Sequence, residues 1–236
     1  DDLTSITLPE SVISIGDLAF NGCTSLTSID VASNNNNYTS IGGVLFSKDK
    51  TILIQYPEGK DATSYIIPEG VTSIGNSAFK DCSSLTSITI PESVTSIGSS
   101  AFWRCSSLTS ITLPSSLTTI GGNAFYECTS LTSITIPEGV TEIGNSAFYG
   151  CGSLTSIDVA LDNNSYTSIN GVLFSKDKTI LIKYPEVKKD VTSYIIPEGV
   201  TSIGEWAFKF CSSLTSITIP KGVTKIGSDA FYDCYR

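Results

Sequence analysis

The chain has 236 residues, of which 14 are Lys or Arg, 23 are Asp or Glu and none is His, so its net charge at pH 7 is −9. Such an acidic chain binds polyanions poorly, which argues against nucleic acid as a partner. The lack of His excludes Ser-His-Asp and Cys-His catalysis and His-ligated metal sites. A hydrophobic fraction of 40% with 16% charged residues is typical of a packed protein.

Self-similarity along the chain is the dominant feature of the sequence. Seven units of 23 residues and two longer ones, at 26–61 and 154–190, account for all residues after the first two. The units begin with Leu-Thr-Ser-Ile or a degenerate form of it, at Leu3, Leu26, Ala62, Leu85, Leu108, Leu131, Leu154, Val191 and Leu214. We therefore predict a single solenoid domain of nine units over 1–236. Both ends lie within the repeat array, so we expect the sequence to be a fragment of a larger protein.

The first half of a regular unit predicts a half-buried strand. In the unit 85–107, Leu85, Ile88 and Ile90 alternate with polar residues, which is the period of a strand with one buried face. Pro91 has no backbone N–H and is expected where this strand ends. Since one unit cannot bury its apolar face alone, stacked units are expected to share a continuous core.

The second half of the unit predicts a corner and a return turn. Gly98 indicates a corner with positive φ, and the spacing of apolar residues in 101–105 fits one helical or 3₁₀ turn. One position of this turn holds all seven cysteines, namely Cys23, Cys82, Cys105, Cys128, Cys151, Cys211 and Cys234. We predict a ladder of free, buried thiols, because stacked side chains point in parallel and make poor disulfides.

The two long units replace the Ala-Phe-x-x-Cys turn. The segment Gly-Val-Leu-Phe-Ser-Lys-Asp-Lys-Thr-Ile-Leu-Ile stands in its place, at 43–54 and again at 171–182. Two β-rich runs around Ser-Lys-Asp-Lys predict an inserted β-hairpin in each long unit.

The full repeat pattern is L-x-x-I-x-I-P-x-x-V-x-x-I-G-x-x-A-F-x-x-C, with one copy at 108–128. It resembles the BspA-like, or Treponema pallidum-type, leucine-rich repeat. The resemblance implies an α/β fold, a β-rich right-handed solenoid with a concave parallel sheet, short convex strands and turns and the two hairpins. It also implies a bacterial or protist cell-surface protein that attaches to a host, matrix or neighbouring-cell protein. We expect an extracellular monomer without cofactors and without membrane insertion by this segment.

An aromatic series is the first candidate contact surface. Trp103, Tyr126 and Tyr149 occupy one position in three consecutive units, and we assign Phe210 to this position in a later unit. Such side chains either pack against the edges of their units or anchor a partner protein or a sugar.

The polar face of the front strands is the second candidate surface. It consists mostly of Ser and Thr, but Asp30 replaces Thr in the first long unit, and the next unit presents Ile66. The second copy has Asp158 and Ile195 at the same places. An acidic residue beside an apolar one, flanked by a hairpin, is a candidate contact patch. No Ca²⁺-binding loop motif accompanies it, so no metal site is predicted.

Three functions fit these patterns. A non-enzymatic scaffold for protein–protein or adhesion contacts is favoured by the hairpins and the aromatic series. A passive spacer in a larger surface protein is favoured by the nearly identical units. A carbohydrate-binding module is the third alternative. An enzyme would need acids with perturbed pKa values or a nucleophile with a base, and the sequence offers neither.

Overall fold

The computed structural model describes residues 2–188 and 191–234, which form short strands joined by turns. The strands of the described residues are β1 (Ser5–Leu8), β2 (Ser28–Val31), β3 (Tyr38–Ile41), β4 (Val44–Ser47), β5 (Ile52–Gln55), β6 (Ser64–Ile66), β7 (Ser73–Ile74), β8 (Ser87–Thr89), β9 (Ser96–Ile97), β10 (Thr119–Ile120), β11 (Ser133–Ile136), β12 (Glu142–Ile143), β13 (Ser156–Val159), β14 (Tyr166–Ile169), β15 (Val172–Ser175), β16 (Ile180–Lys183), β17 (Ser193–Ile195), β18 (Ser202–Ile203), β19 (Ser216–Thr218) and β20 (Lys225–Ile226). These residues contain no helix, so the α component of the expected α/β fold is wrong, and the fold is a β-solenoid.

Two sets of parallel pairs stack the units along the solenoid. The front strands pair one unit apart, as in β1 with β2, β6 with β8, β11 with β13 and β17 with β19. On β2 and β13, Ile29 and Ile157 point inward and are fully buried. A second ladder is formed by two-residue strands, such as β7, β9, β10 and β12. Residues at the same position of successive regular units are therefore paired with each other in each ladder.

The return segment is not helical, so the expected helical or 3₁₀ turn at 101–105 is wrong. Its backbone N–H groups alternate between two kinds of acceptor. Trp103 donates within the unit to Ser100 (3.0 Å), whereas Phe102 donates to Ala124 of the next unit (2.8 Å). Ser100 also has a φ of 58°. A helix needs right-handed φ throughout and bonds within itself, so the bonding between units replaces it.

The corner glycine is required for space rather than for its φ. Gly98 does not have the expected positive φ. A Cβ atom on it would lie 2.7 Å from the backbone N of Asn76 and 2.7 Å from the carbonyl C of Gly75. The neighbouring corners at Gly121 and Gly144 are packed in the same way. Successive corners therefore touch backbone to backbone, which only glycine allows.

The core is built from ladders of identical side chains. Four phenylalanine rings, Phe79, Phe102, Phe125 and Phe148, stack in parallel with centroids 5.2, 5.3 and 5.8 Å apart. The seven cysteines are all free, as predicted, and five of them are buried, whereas Cys23 and Cys234 in the first and last units are half-buried. The thiol of Cys128 donates to the carbonyl O of Phe102 (3.0 Å). Burial raises the pKa of this thiol well above its usual value.

Each long unit forms a three-stranded antiparallel meander, β3–β4–β5 or β14–β15–β16. The expected hairpin is its second turn. The third strand of each meander continues the second ladder, because β5 pairs with β7 and β16 pairs with β18 in parallel.

The central strand of each meander divides the core. Val44, Leu45 and Phe46 of β4 are all buried. Leu45 packs in the cluster that contains Phe20, while Val44 and Phe46 pack in the next cluster. Strand β15 makes the same division at the second meander. The described core therefore consists of three clusters, separated at the two meanders.

Candidate functional site

The aromatic series forms a continuous stack on the return segments, which we call the stripe: Trp103, Tyr126 and Tyr149. Both centroid distances are 4.3 Å, between Trp103 and Tyr126 and between Tyr126 and Tyr149, with interplanar angles of 30° and 7°. All three side chains are half-buried. The parallel stacking follows from the alternating return segment, which places equivalent residues of successive units one above the other. Beside the stripe, Arg104 pairs with Glu127 (Nε to Oε2, 2.7 Å).

Phe210 is not at the stripe position, so its assignment there is wrong. The N–H of Phe208 donates to Ala230 O, as that of Phe102 does to Ala124 O, which aligns Lys209 with Trp103. Phe210 follows one residue later and is 37% exposed. The error arose because Phe210 is aromatic, like the stripe residues, and directly follows the residue at the stripe position.

Lys209 connects the stripe to the last units through an aromatic cage. Its Nζ atom lies 4.0 Å from the ring centroid of Tyr149, 4.4 Å from Trp206, 4.6 Å from Phe210 and 4.3 Å from Tyr232. It also donates a hydrogen bond to the Tyr149 hydroxyl. A desolvated ammonium over aromatic faces is strongly attracted to them. Since Tyr149 precedes the second meander and the other rings follow it, the cage holds the two parts together.

The structure does not bring each Asp of the second candidate surface next to its Ile. Asp30 lies on β2, paired with Thr7, whereas Ile66 lies on β6, paired with Thr89. No Cα atom of β2 lies within 8 Å of one in β6, because the meander occupies the open edge of β2, where Ile29 N–H donates to Gly43 O (2.9 Å).

The second copy has the same arrangement. Asp158 on β13 is paired with Thr135, Ile195 on β17 is paired with Thr218, and the two strands are likewise apart. Ile66 and Ile195 are 72% and 73% exposed. Asp158 accepts a hydrogen bond from the Ser156 hydroxyl (3.0 Å), as Asp30 does from Ser28. These four residues are therefore separate exposed positions rather than two compact patches.

A cleft that sequence reasoning missed lies beside the second meander. In the regular unit, four residues, 204–207, lie between Ile203 of the second ladder and Phe208 of the ring stack. In the meander, Leu181 pairs with Ile203 and Tyr184 stacks on Phe208 (5.2 Å), with only residues 182–183 between them. The corner of the meander is thus two residues short.

The missing corner leaves an open space, which we call the junction cleft. It has a volume of about 260 Å³ and lies between the corners 143–149 and 204–206, with Lys183 and Tyr166 also in its lining. A smaller cleft of about 160 Å³ lies at the equivalent place beside the first meander, between the corners at 15–20 and 75–76. The sequence signal was present, since both long units lack the Gly-x-x-Ala corner before their Tyr-Pro.

A buried ion pair lies at the inner end of the junction cleft. Lys183 Nζ is 3.4 Å from Glu186 Oε1, and the two residues are 6% and 4% exposed. Burial raises the pKa of Glu186, while Lys183 and the N–H of Gly150, which donates to Glu186 Oε1 (2.9 Å), act in the opposite direction. Gln55 and Glu58 take these places in the first meander, so the charge pair is particular to the second.

Within 2–188 and 191–234, no group of three or more His, Cys, Asp or Glu residues is arranged to hold a metal ion. Nor do these residues include a helix long and apolar enough to cross a membrane.

Comparisons with known proteins agree with this architecture. A family model described as BspA type leucine rich repeat region matches six copies, over residues 1–60, 55–181 and 186–236. No match is found among curated proteins.

Several solved structures are similar to this chain. The pneumococcal vaccine antigen PcpA is 27% identical, with a TM-score of 0.63, over 84% of this chain and 57% of that protein. A leucine rich cell surface protein from Faecalibacterium prausnitzii is 29% identical, with a TM-score of 0.57, over 97% and 57%. A leucine-rich repeat protein from Eubacterium ventriosum is 25% identical, with a TM-score of 0.56, over 98% and 58%. The chain thus spans somewhat more than half the length of each of these proteins.

Proposed function

Because this chain belongs to the BspA-type leucine-rich-repeat family, we propose that it is a non-enzymatic, surface-exposed scaffold for adhesion. Its partners in this proposal are surface or matrix proteins of a host or neighbouring cell, and its location is extracellular. In this proposal, the chain forms one right-handed solenoid of nine units with a concave front sheet. It is monomeric and is a segment of a larger protein. Two similar proteins support the location, since one is named a cell surface protein and the other a vaccine antigen.

The observation that carries the proposal is the stripe. Half-exposed aromatic side chains are the residues that most often anchor protein–protein contacts. The stripe is rigid before binding, because Tyr126 is held between Trp103 and Tyr149 with both centroids 4.3 Å away. A preformed anchor loses little conformational entropy when a partner binds. The stripe therefore suits recognition better than the uniform Ser and Thr face does.

The stacking also favours a protein over a carbohydrate partner. A sugar binds an aromatic residue by lying on the face of its ring. In the stripe, the faces of Tyr126 are covered by its two neighbours, and Lys80 lies 5.9 Å from the centroid of the Trp103 ring. What remains for a partner are ring edges and tyrosine hydroxyls, which suit the mixed apolar and polar surface of a protein. Asp30, Ile66, Asp158 and Ile195 are kept as secondary contact positions.

The test is a binding screen against extracellular-matrix proteins, intact cells and a glycan array. The wild-type chain is compared with a Trp103→Ala/Tyr126→Ala variant and with an Ile66→Ala/Ile195→Ala variant at the secondary contact positions. We expect a saturable protein hit that is weakened at least tenfold by the stripe variant and less than threefold by the Ile variant.

The alternatives give different results in the same screen. Binding to glycans alone would favour the carbohydrate module. Loss of binding only in the Ile variant would move the contact to the front face. No binding in any arm would contradict the proposal and favour the passive spacer. Thermal melting of each variant shows whether it has kept its fold.

A further inference from the structure

The junction cleft exposes a backbone edge through which a regular unit binds the regular unit that follows it. In regular units, the N–H groups of alternate residues donate across the interface, as from Asn123 to Asn145 O (2.9 Å) and from Phe125 to Ala147 O (2.8 Å). The equivalent donors in the last unit before the second meander are Ser146 and Phe148. Neither finds an acceptor among the described residues, and both line the cleft. The third donor, Gly150, is already bonded to Glu186 (2.9 Å).

Other donors surround the same space. Lys183 lines the cleft, and its two acceptors, Glu186 Oε1 and Trp206 O, are both 3.4 Å away, so its ammonium retains donor capacity. Asn145 is exposed at the mouth. The cleft is therefore rich in donors, and it calls for an occupant with several acceptor oxygens in a row. Carbonyl groups placed in the cleft would make the hydrogen bonds that these N–H groups make elsewhere in the array, which favours binding of such an occupant.

The shape of the cleft indicates what supplies those oxygens. It exists because the meander lacks two corner residues, so the space matches a short piece of main chain. Where one regular unit follows another, backbone carbonyl groups meet these N–H groups. The rings of Tyr149 and Trp206 line the cleft, and their centroids are 5.3 Å apart.

We propose that the junction cleft binds a short segment of main chain from a partner protein, which replaces the missing corner of the meander. The carbonyl groups of the segment accept hydrogen bonds from the N–H groups of Ser146 and Phe148. One of its side chains rests against Tyr149 and Trp206. This is main-chain recognition at an open edge, as in β-augmentation. It rests on the proposed function, because Tyr149 belongs to both the stripe and the cleft and lets one partner contact both.

The experiment begins with a library of 12-residue peptides displayed on phage and selected on the whole chain. Selected peptides are synthesised, and their affinities are measured by fluorescence anisotropy for the wild type and two variants. Asn145→Trp fills the mouth of the cleft. Ser99→Trp places the same side chain at the same repeat position of a regular corner that has no cleft. We expect binding at least tenfold weaker in Asn145→Trp and changed less than twofold in Ser99→Trp.

A second readout needs no variant. Amide hydrogen exchange of the wild type, followed by NMR, is measured with and without a saturating selected peptide. Exchange at Ser146 and Phe148 is expected to slow at least tenfold, while exchange at Gly150, whose N–H already has an acceptor, changes little. Unprotected amides at both residues would overturn the proposal even if Asn145→Trp failed to fold.

Other outcomes separate this proposal from the proposed function. No selected peptide, or equal affinities for the two Trp variants, overturns the cleft proposal. A glycan that binds the wild type, is lost in Asn145→Trp and is not displaced by the peptides also overturns it. If a protein partner loses affinity in the stripe variant but not in Asn145→Trp, the scaffold proposal stands and the cleft proposal fails. The reverse result supports the cleft and refutes the stripe.

Discussion

The backbone contact between corners predicts opposite effects for one substitution at two equivalent glycines. In Gly121→Ala, the new Cβ atom would lie 2.5 Å from Gly98 C and 2.5 Å from Ser99 N. In Gly16→Ala, at the same repeat position, it would meet nothing within 4 Å, and Gly16 does not have a left-handed φ. The two variants therefore differ in whether the corner of another unit packs against the new methyl group.

The magnitude follows from the distances at Gly121. Ordinary contacts to a Cβ atom are about 3.4 Å or longer, so the units must separate locally by roughly 0.9 Å. Overpacking typically costs about 1–3 kcal/mol. The clash is with backbone rather than with a flexible side chain, and it strains the hydrogen bond from Gly121 N–H to Ile97 O (2.8 Å). We therefore expect Gly121→Ala to lower the free energy of unfolding by about 3 kcal/mol, whereas Gly16→Ala raises it by roughly 0.4–1 kcal/mol.

Equilibrium unfolding in urea, followed by circular dichroism and by tryptophan fluorescence, measures both variants against the wild type. Coincident curves from the two probes allow the change in midpoint to be read as a change in stability. A loss below about 1 kcal/mol in Gly121→Ala, or equal losses in the two variants, would refute the reasoning that close packing selects glycine at this position.

Three further predictions test the core. Phe125→Ala should lower the free energy of unfolding by about 3–5 kcal/mol, because it removes a fully buried ring with stacked partners on both sides. Urea unfolding measures this loss. Phe20→Ala, which removes a ring without a stacked partner, should lower the free energy of unfolding by less. At pH 8, a thiol reagent should label the half-buried Cys234 in the native protein and Cys128 only on unfolding, since burial keeps Cys128 protonated and inaccessible. Burial raises the pKa of Cys234 as well, so its labelling should be slower than that of a fully exposed thiol. Labelling of Cys128 in the native protein at the rate of Cys234 would contradict the thiol ladder. Burial raises the pKa of Tyr56 to about 12, whereas the unfolded value is about 10, so the free energy of unfolding should fall as pH rises between these values; alkaline titration monitored by circular dichroism should show a smaller fall for Tyr56→Phe.

The regular units could be predicted closely from the sequence because their information is local and periodic. The alternation at Ile134 and Ile136 defines a strand face, and the structure has β11 there. The constant spacing of Cys105 and Cys128 indicates one stacked, buried position, which the structure also shows. Each of these features depends only on the unit and its identical neighbours.

Apart from the misassignment of Phe210, the failures depend on how a unit meets its neighbour. The segment at 101–105 has a spacing that suits a helix, but its N–H groups bond to the next unit instead. Asp30 and Ile66 are separated because the meander occupies the edge between their strands, a tertiary effect that the repeat count does not contain. The junction cleft depends on a corner that is two residues short, which appears only once the register of β16 against β18 is known.

The buried central strands of the two meanders divide the array into three sections, one for each core cluster, and each section has side-chain contacts of its own. In a stack of identical repeats, each interface couples neighbours in the same way, and unfolding can spread from an end through successive units. Here, side chains on opposite faces of β4 pack in different clusters, and β15 repeats this at the second meander. Opening of one section therefore does not remove the side-chain contacts within the next. The protein can fray or be cut in a terminal section while the section that carries the stripe keeps its own core.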